Sequence, residues 1–194
     1  MKKTFFSVWM ALSFATGPFV QATTYVPSNI QDLSKGSAIA CFGSVKSLRE
    51  TSLNGKPVQE LQFQCDESAK GNKGLYTLYM FDFSPAKGAV KFISKSFEAG
   101  PSFEIGKKYF VFFHQPHPQS GLTSPVGGPQ GVFRYDSKLG LINGLENKNI
   151  AQSIQAEDIS YKSAGLDQTL KALQNETRVG LSVDEMIRLV KASD

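Results

Sequence analysis

The sequence predicts a mainly β protein, a small antiparallel barrel or sandwich with C-terminal α-helices. Three observations lead there. Leu61, Phe63 and Cys65 alternate with Glu60, Gln62 and Gln64, the two-residue period of a half-buried strand. Asn54-Gly55 stands shortly before that run and is a strong hairpin signal, because a type I′ turn needs positive φ at both central residues. From Glu146 onward aromatics all but vanish, and Leu166, Leu170 and Leu173 are spaced for one helical face.

The chain opens as an export signal. Lys2 and Lys3 supply a positive n-region, Phe5 to Phe14 a short apolar h-region, and Val20-Gln21-Ala22 a small-residue cleavage site. Residues 1–22 are therefore expected to be a signal peptide, cleaved after Ala22. The apolar run is about half the ~20 residues that span a bilayer, which disfavours a membrane anchor. Ala38-Ile39-Ala40-Cys41 faintly imitates a lipoprotein motif, but polar residues 23–35 separate it from the h-region. Removing 22 of the 194 residues leaves 172, enough for one domain with a real core. The formal charge of +4 falls to +2 once Lys2 and Lys3 are gone. No basic run is longer than Lys107-Lys108, so the sequence carries no electrostatic footprint for nucleic acid.

An even pair of cysteines, Cys41 and Cys65, in an exported chain favours one disulfide. A redox pair or a metal site is the alternative, but the spacing is not Cys-x-x-Cys and no further ligands lie nearby. A strict two-residue turn at Asn54-Gly55 pairs residues whose numbers sum to 109, whereas Cys41 and Cys65 sum to 106. The bridge therefore requires a bulge or a longer loop.

The expected β domain covers residues 23–145. Residues 23–35 read as a polar lead-in, followed by strands over Ala38 to Leu48 and around Leu61 to Cys65. Leu75 to Phe83 carries apolar bulk on both faces and reads as a strand covered on both sides. Val90 to Phe97, punctuated by Lys91 and Lys95, suits a solvated or edge strand. Tyr109 to Phe113 is the most apolar stretch of the mature chain and reads as a central strand. A long loop rich in Pro and Gly runs from Gln115 to Gly131, and a final hairpin spans Val132 to Tyr135 and Leu139 to Ile142. Residues 146–194 are expected to be helical and packed on the β domain. In the last helix Ser182 and Glu185 form a capping box, Leu181 and Met186 staple the entrance, and Met186, Ile187 and Val190 make an apolar stripe.

The run of short strands, with Gly43-Ser44-Val45 in the first and Gly106-Lys107-Lys108-Tyr109-Phe110-Val111-Phe112 in a late one, resembles the OB-like core of netrin modules and tissue inhibitors of metalloproteases. The resemblance covers roughly Lys35 to His114 and implies a fold. Those inhibitors act through an amino-terminal cysteine; the mature chain here begins near Thr23, so none of their inhibitory residues carries over. The stretch Leu122 to Phe133 and the closing helix are similar to exported bacterial β-domain proteins, which implies export.

The candidate chemistry gathers on the long loop. His114 and His117 could chelate a metal, but a catalytic zinc site usually has a third protein ligand. Ser120, Ser124 and Asp136 supply triad residue types without a nucleophile elbow. Gly127-Gly128-Pro129-Gln130-Gly131 precedes a strand, the wrong order for a phosphate loop, and is better explained by tight turning. No cofactor or metal motif is present. The expected function is thus a non-enzymatic binding module for an exported protein or peptide, contacted through His114, His117, Thr123, Ser124, Gln130 and Phe133. The alternatives are a metal-dependent or hydrolytic enzyme centred on His114 and His117, and a small-ligand carrier using the barrel interior.

Overall fold

A computed structural model describes residues 26–81, 102–155 and 159–194. The signal segment 1–22 and the strand expected over 90–97 lie outside the described residues. The chain runs α1 (Ile30–Gly36), β1 (Ile39–Leu53), β2 (Lys56–Lys70), β3 (Gly74–Phe81), β4 (Lys108–Phe113), a 3-10 turn (Gly128–Gly131), β5 (Val132–Asp136), β6 (Gly140–Ile142), α2 (Ile159–Ser163), α3 (Asp167–Gln174) and α4 (Val183–Ser193). The six strands form one open antiparallel sheet in the order β3-β2-β1-β4-β5-β6. The mainly β class holds; among the described residues the strands form an open sheet, and the expected barrel or sandwich closure is not shown. Among the described residues no helix is long and apolar enough to cross a membrane.

The β1–β2 hairpin is built as its turn dictates. Asn54 and Gly55 both take positive φ, 52° and 75°, and pairing runs in strict register from Leu53–Lys56 to Ser47–Gln62. The register then slips past Lys46, so that Gly43 faces Cys65, and slips again past Asp66. Cys65 thereby lies diagonal to Cys41 on one face of the ribbon, and the two are bonded with Cα atoms 5.9 Å apart. The bulge that the numbering demanded is present. Gly43 marks the closest approach of the strands, because a Cβ there would sit 1.8 Å from the Gln64 carbonyl oxygen.

The sheet is buried on two faces. On one, Phe42, Phe110, Phe112, Phe133 and Leu141 pack against α1, α2, α3 and α4 through Ile30, Leu33, Tyr161, Leu170, Met186 and Val190. On the other, Cys41, Val45, Leu61, Phe63, Cys65, Met80, Phe103, Val111 and Phe113 form a second cluster around the disulfide. Because β4 contributes alternate residues to both, its unbroken apolar sequence is accounted for. The same does not hold for β3. Leu78 and Met80 are buried, but Leu75 and Phe81 are 57% and 56% exposed, so among the described residues β3 is covered on one side.

Two further departures have local causes. Within the expected lead-in, α1 starts at Ile30 under a capping box made by Asn29 and Asp32, and only Ile30 and Leu33 give it an apolar face, too short a stripe to show in the sequence. Residues 144–153 are not helix but consecutive turns. They are fastened by buried amides: Asn143 Nδ2 donates to the Gln130 carbonyl and to Asn149 Oδ1, and Asn147 Nδ2 donates to the carbonyls of Leu141 and Val179. Successive backbone bonds from an N–H to the carbonyl three residues earlier close the turns, and the amides tie them to neighbouring segments.

The closing helix α4 follows its sequence signals. Ser182 Oγ accepts from the Glu185 N–H, and the Glu185 carboxylate accepts from the Ser182 N–H. Arg178 grips the same carboxylate with two bonds of 2.6 Å. Burial pushes the Glu185 carboxyl upward, but the Arg178 fork and the Ser182 amide and hydroxyl outweigh it and hold the group down at about 2.

Candidate functional site

The long loop leaves β4 at Phe113 and returns alongside it. The His114 N–H donates to the Ser124 carbonyl at 3.1 Å, and Thr123 Oγ1 donates to the His114 carbonyl at 2.7 Å. Further out, the Thr123 N–H reaches the Tyr79 carbonyl on the outer edge of β3, and the Val126 N–H reaches Phe112, both at 2.8 Å. The tip is closed by bonds from the His117 N–H to Leu122 and from the Gly121 N–H to His117, with Gly121 at φ 71°. The long loop rich in Pro and Gly is thus held at its base, at its tip and against β3.

The six sequence-selected residues divide into two sets. His114, His117 and Ser124 are exposed, whereas Thr123, Gln130 and Phe133 are buried. Thr123 fastens the loop base. Gln130 turns inward, accepting the Ser28 N–H at 2.8 Å and donating to the Val26 carbonyl at 3.1 Å, so its amide clasps the start of the described chain. Phe133 lies wholly inside the helix-side cluster, edge-on to Phe112 with centroids 5.9 Å apart. Gly127 and Gly128 take positive φ, 64° and 61°, and a Cβ on Gly131 would meet the Val126 carbonyl oxygen at 2.2 Å, which accounts for the glycine-rich run by tight turning.

His114 stands beside Ser124, but among the described residues no side-chain hydrogen bond joins the residue types of the enzymatic alternative. The Gln119 N–H donates to His117 Nδ1 at 3.4 Å, and among the described residues neither histidine is bonded to a serine or carboxylate side chain. Asp136 instead accepts the backbone N–H groups of Lys138 and Leu139, and these bonds hold its carboxyl below the ordinary range. Among the described residues no three His, Cys, Asp or Glu side chains gather as a metal site would need. On the disulfide side Phe103 packs against Tyr109 and Phe113 with centroids 5.4 and 6.1 Å away.

A second surface was not singled out by the sequence. A cleft of about 790 Å³ opens between the start of β4 and the β5–β6 hairpin, with Lys107, Lys108, Arg134, Tyr135, Leu139 and Ile142 among its walls. Its residues come from separated segments, and only the strand pairing brings them together; Lys107-Lys108 was the sole local hint.

The molecule defined by this fold and these surfaces is a mainly β protein with a helix-covered sheet and one internal disulfide. No protein-family model, curated protein or solved structure matches the chain.

Proposed function

We propose that the protein is an exported, non-enzymatic binding module that engages an exported protein or peptide through the loop running from His114 to Ser124. The observation that supports this reading most is the fastening of that loop. Hydrogen bonds to β4 and to Tyr79 fix its base and flank, while His114, His117 and Ser124 stay exposed. A contact surface ordered before binding loses less conformational entropy on association. Export is supported by the residue pattern of segment 1–22 and by the disulfide, which persists best in an oxidising compartment.

The test has two arms. Amino-terminal sequencing of the protein recovered outside the cytoplasm is expected to begin at Thr23; a chain that retains Met1 and stays inside the cell overturns the export reading. In a pull-down from the same fraction, partner recovery should be lost when residues 115–121 are exchanged for a Gly/Ser linker while thermal unfolding is unchanged. Undiminished recovery removes the loop as the contact site. Stoichiometric zinc binding at micromolar metal that disappears in His114→Ala with His117→Ala would favour the metal-dependent reading instead.

A further inference from the structure

The cleft beside β4 carries an inference independent of the loop. The β4–β5 ladder ends at Tyr109–Arg134, whereas β5–β6 pairing continues to Asp136–Gly140. Lys107 and Lys108 therefore part from Tyr135 and Asp136, and the cleft opens where the strands splay. One cross-strand row, Tyr109–Arg134–Ile142, sets a guanidinium between an aromatic ring and an aliphatic side chain. That row faces away from the helices, since Phe110, Phe133 and Leu141 on the same strands fill the helix-side cluster.

The charges in the cleft are unevenly matched. The Asp136 carboxylate is turned to the N–H groups of Lys138 and Leu139. Glu104 pairs with Arg134 at 3.1 Å, both side chains more than half exposed, so the pair is weak and exchangeable. Among the described residues no ion pair engages Lys107 or Lys108, and the Lys108 ammonium rests 5.8 Å from the centroid of the Phe42 ring. Lys108 and Tyr135 both lie against the Phe42 ring on the helix side, Tyr135 with centroids 5.6 Å apart, whereas Ile142 stands beside Arg134 and Leu139 is 58% exposed at the hairpin turn. We propose that the cleft binds an extended acidic peptide segment, a carboxylate meeting Lys107 and Arg134 and a neighbouring apolar side chain resting on Leu139 and Ile142. Glu104 occupies Arg134 in the free protein and is displaced by the incoming carboxylate. A volume near 790 Å³ far exceeds a single carboxylate group, and the apolar wall gives a bare anion nothing to hold, which favours a peptide over a small ion.

Fluorescence anisotropy on the full mature protein tests this, with a labelled short peptide alternating Glu and Leu as probe and the same peptide with Lys for Glu as control. The acidic probe should bind, weaken with added salt, and lose about tenfold in affinity in Lys107→Ala and more in Lys107→Glu. Leu139→Ser should weaken it severalfold. The distinctive result is Glu104→Gln, which frees Arg134 and should tighten binding severalfold, an effect that a structural role for the ion pair would not produce. Exchange of residues 115–121 should leave this binding unchanged, which separates the cleft from the loop. Equal binding of the lysine peptide, indifference to the lysine substitutions, or weaker binding in Glu104→Gln overturns the proposal. Displacement of the probe by decanoate at matching concentration overturns its assignment to a peptide.

Discussion

The two faces of the sheet are stabilised by different means. The helix-side cluster is assembled from the ends of the chain: α1 and α4 flank each other over Phe42, Phe110 and Phe133, and the fastening is non-covalent, with Asp194 accepting from Ser34 and Lys70. The opposite cluster is assembled largely within β1, β2 and β4 and holds a covalent bond at its centre. One face therefore depends on packing and on the charge of a few carboxylates, the other on the oxidation state of two sulfurs. The faces meet in β4, whose alternate side chains serve each in turn.

The largest expected effect sits on the helix side. Phe110→Ala removes a wholly buried ring and should cost about 4 kcal/mol in urea unfolding. A loss below about 1 kcal/mol would mean that this face is not a packed core. Next comes the covalent side: Cys41→Ser with Cys65→Ser opens a loop of sequence separation 24 and should cost about 3 kcal/mol. If that double variant unfolds at the same urea concentration as the oxidised protein, the hairpin holds itself and the contrast between the faces fails.

The smallest effect carries a pH signature. Glu185→Gln breaks both the Arg178 fork and half of the capping box, and should cost about 2 kcal/mol near neutral pH. The folded-state carboxyl is held at about 2, below its ordinary 4.5. Its stabilisation is thus present above pH 4.5 and is lost as the pH falls toward 2. Thermal melts across that window should converge for the variant and the native protein. A gap that stays constant with pH would show that the carboxylate charge is not what fastens α4.

How far the sequence foretold each face depends on whether its signals are local. Asn54-Gly55, the Ser182–Glu185 capping box and the mismatch of Cys41 and Cys65 with the hairpin numbering are short-range statements, and the structure carries all three. Apolar content alone was a poorer guide. β3 and β4 are both rich in apolar residues, yet β4 is sandwiched and β3 exposes Leu75 and Phe81, because the pattern reports affinity for a neighbour and not the presence of one. Polar residues misled in the opposite direction. The sequence places Gln130 on a contact surface and Asn147 and Asn149 in a helical segment, yet these and Asn143 are buried with their amides bonded to backbone groups of other segments. Of the loop residues chosen for contact, the exposed three were legible as surface by composition, while the inward turn of Gln130 and Phe133 was set by segments far away in sequence.

Long-range side-chain bonds also bear on how the fold completes. Gln130 clasps Ser28 across 102 residues, Asn29 reaches the Gln152 carbonyl across 123, and Ser34 meets Asp194 across 160. Closures of that span are slow to form, since the loop entropy is lost before the contact is gained. Among the described elements the β1–β2 hairpin closes through contacts near in sequence, whereas α1 is seated through contacts with segments more than a hundred residues away.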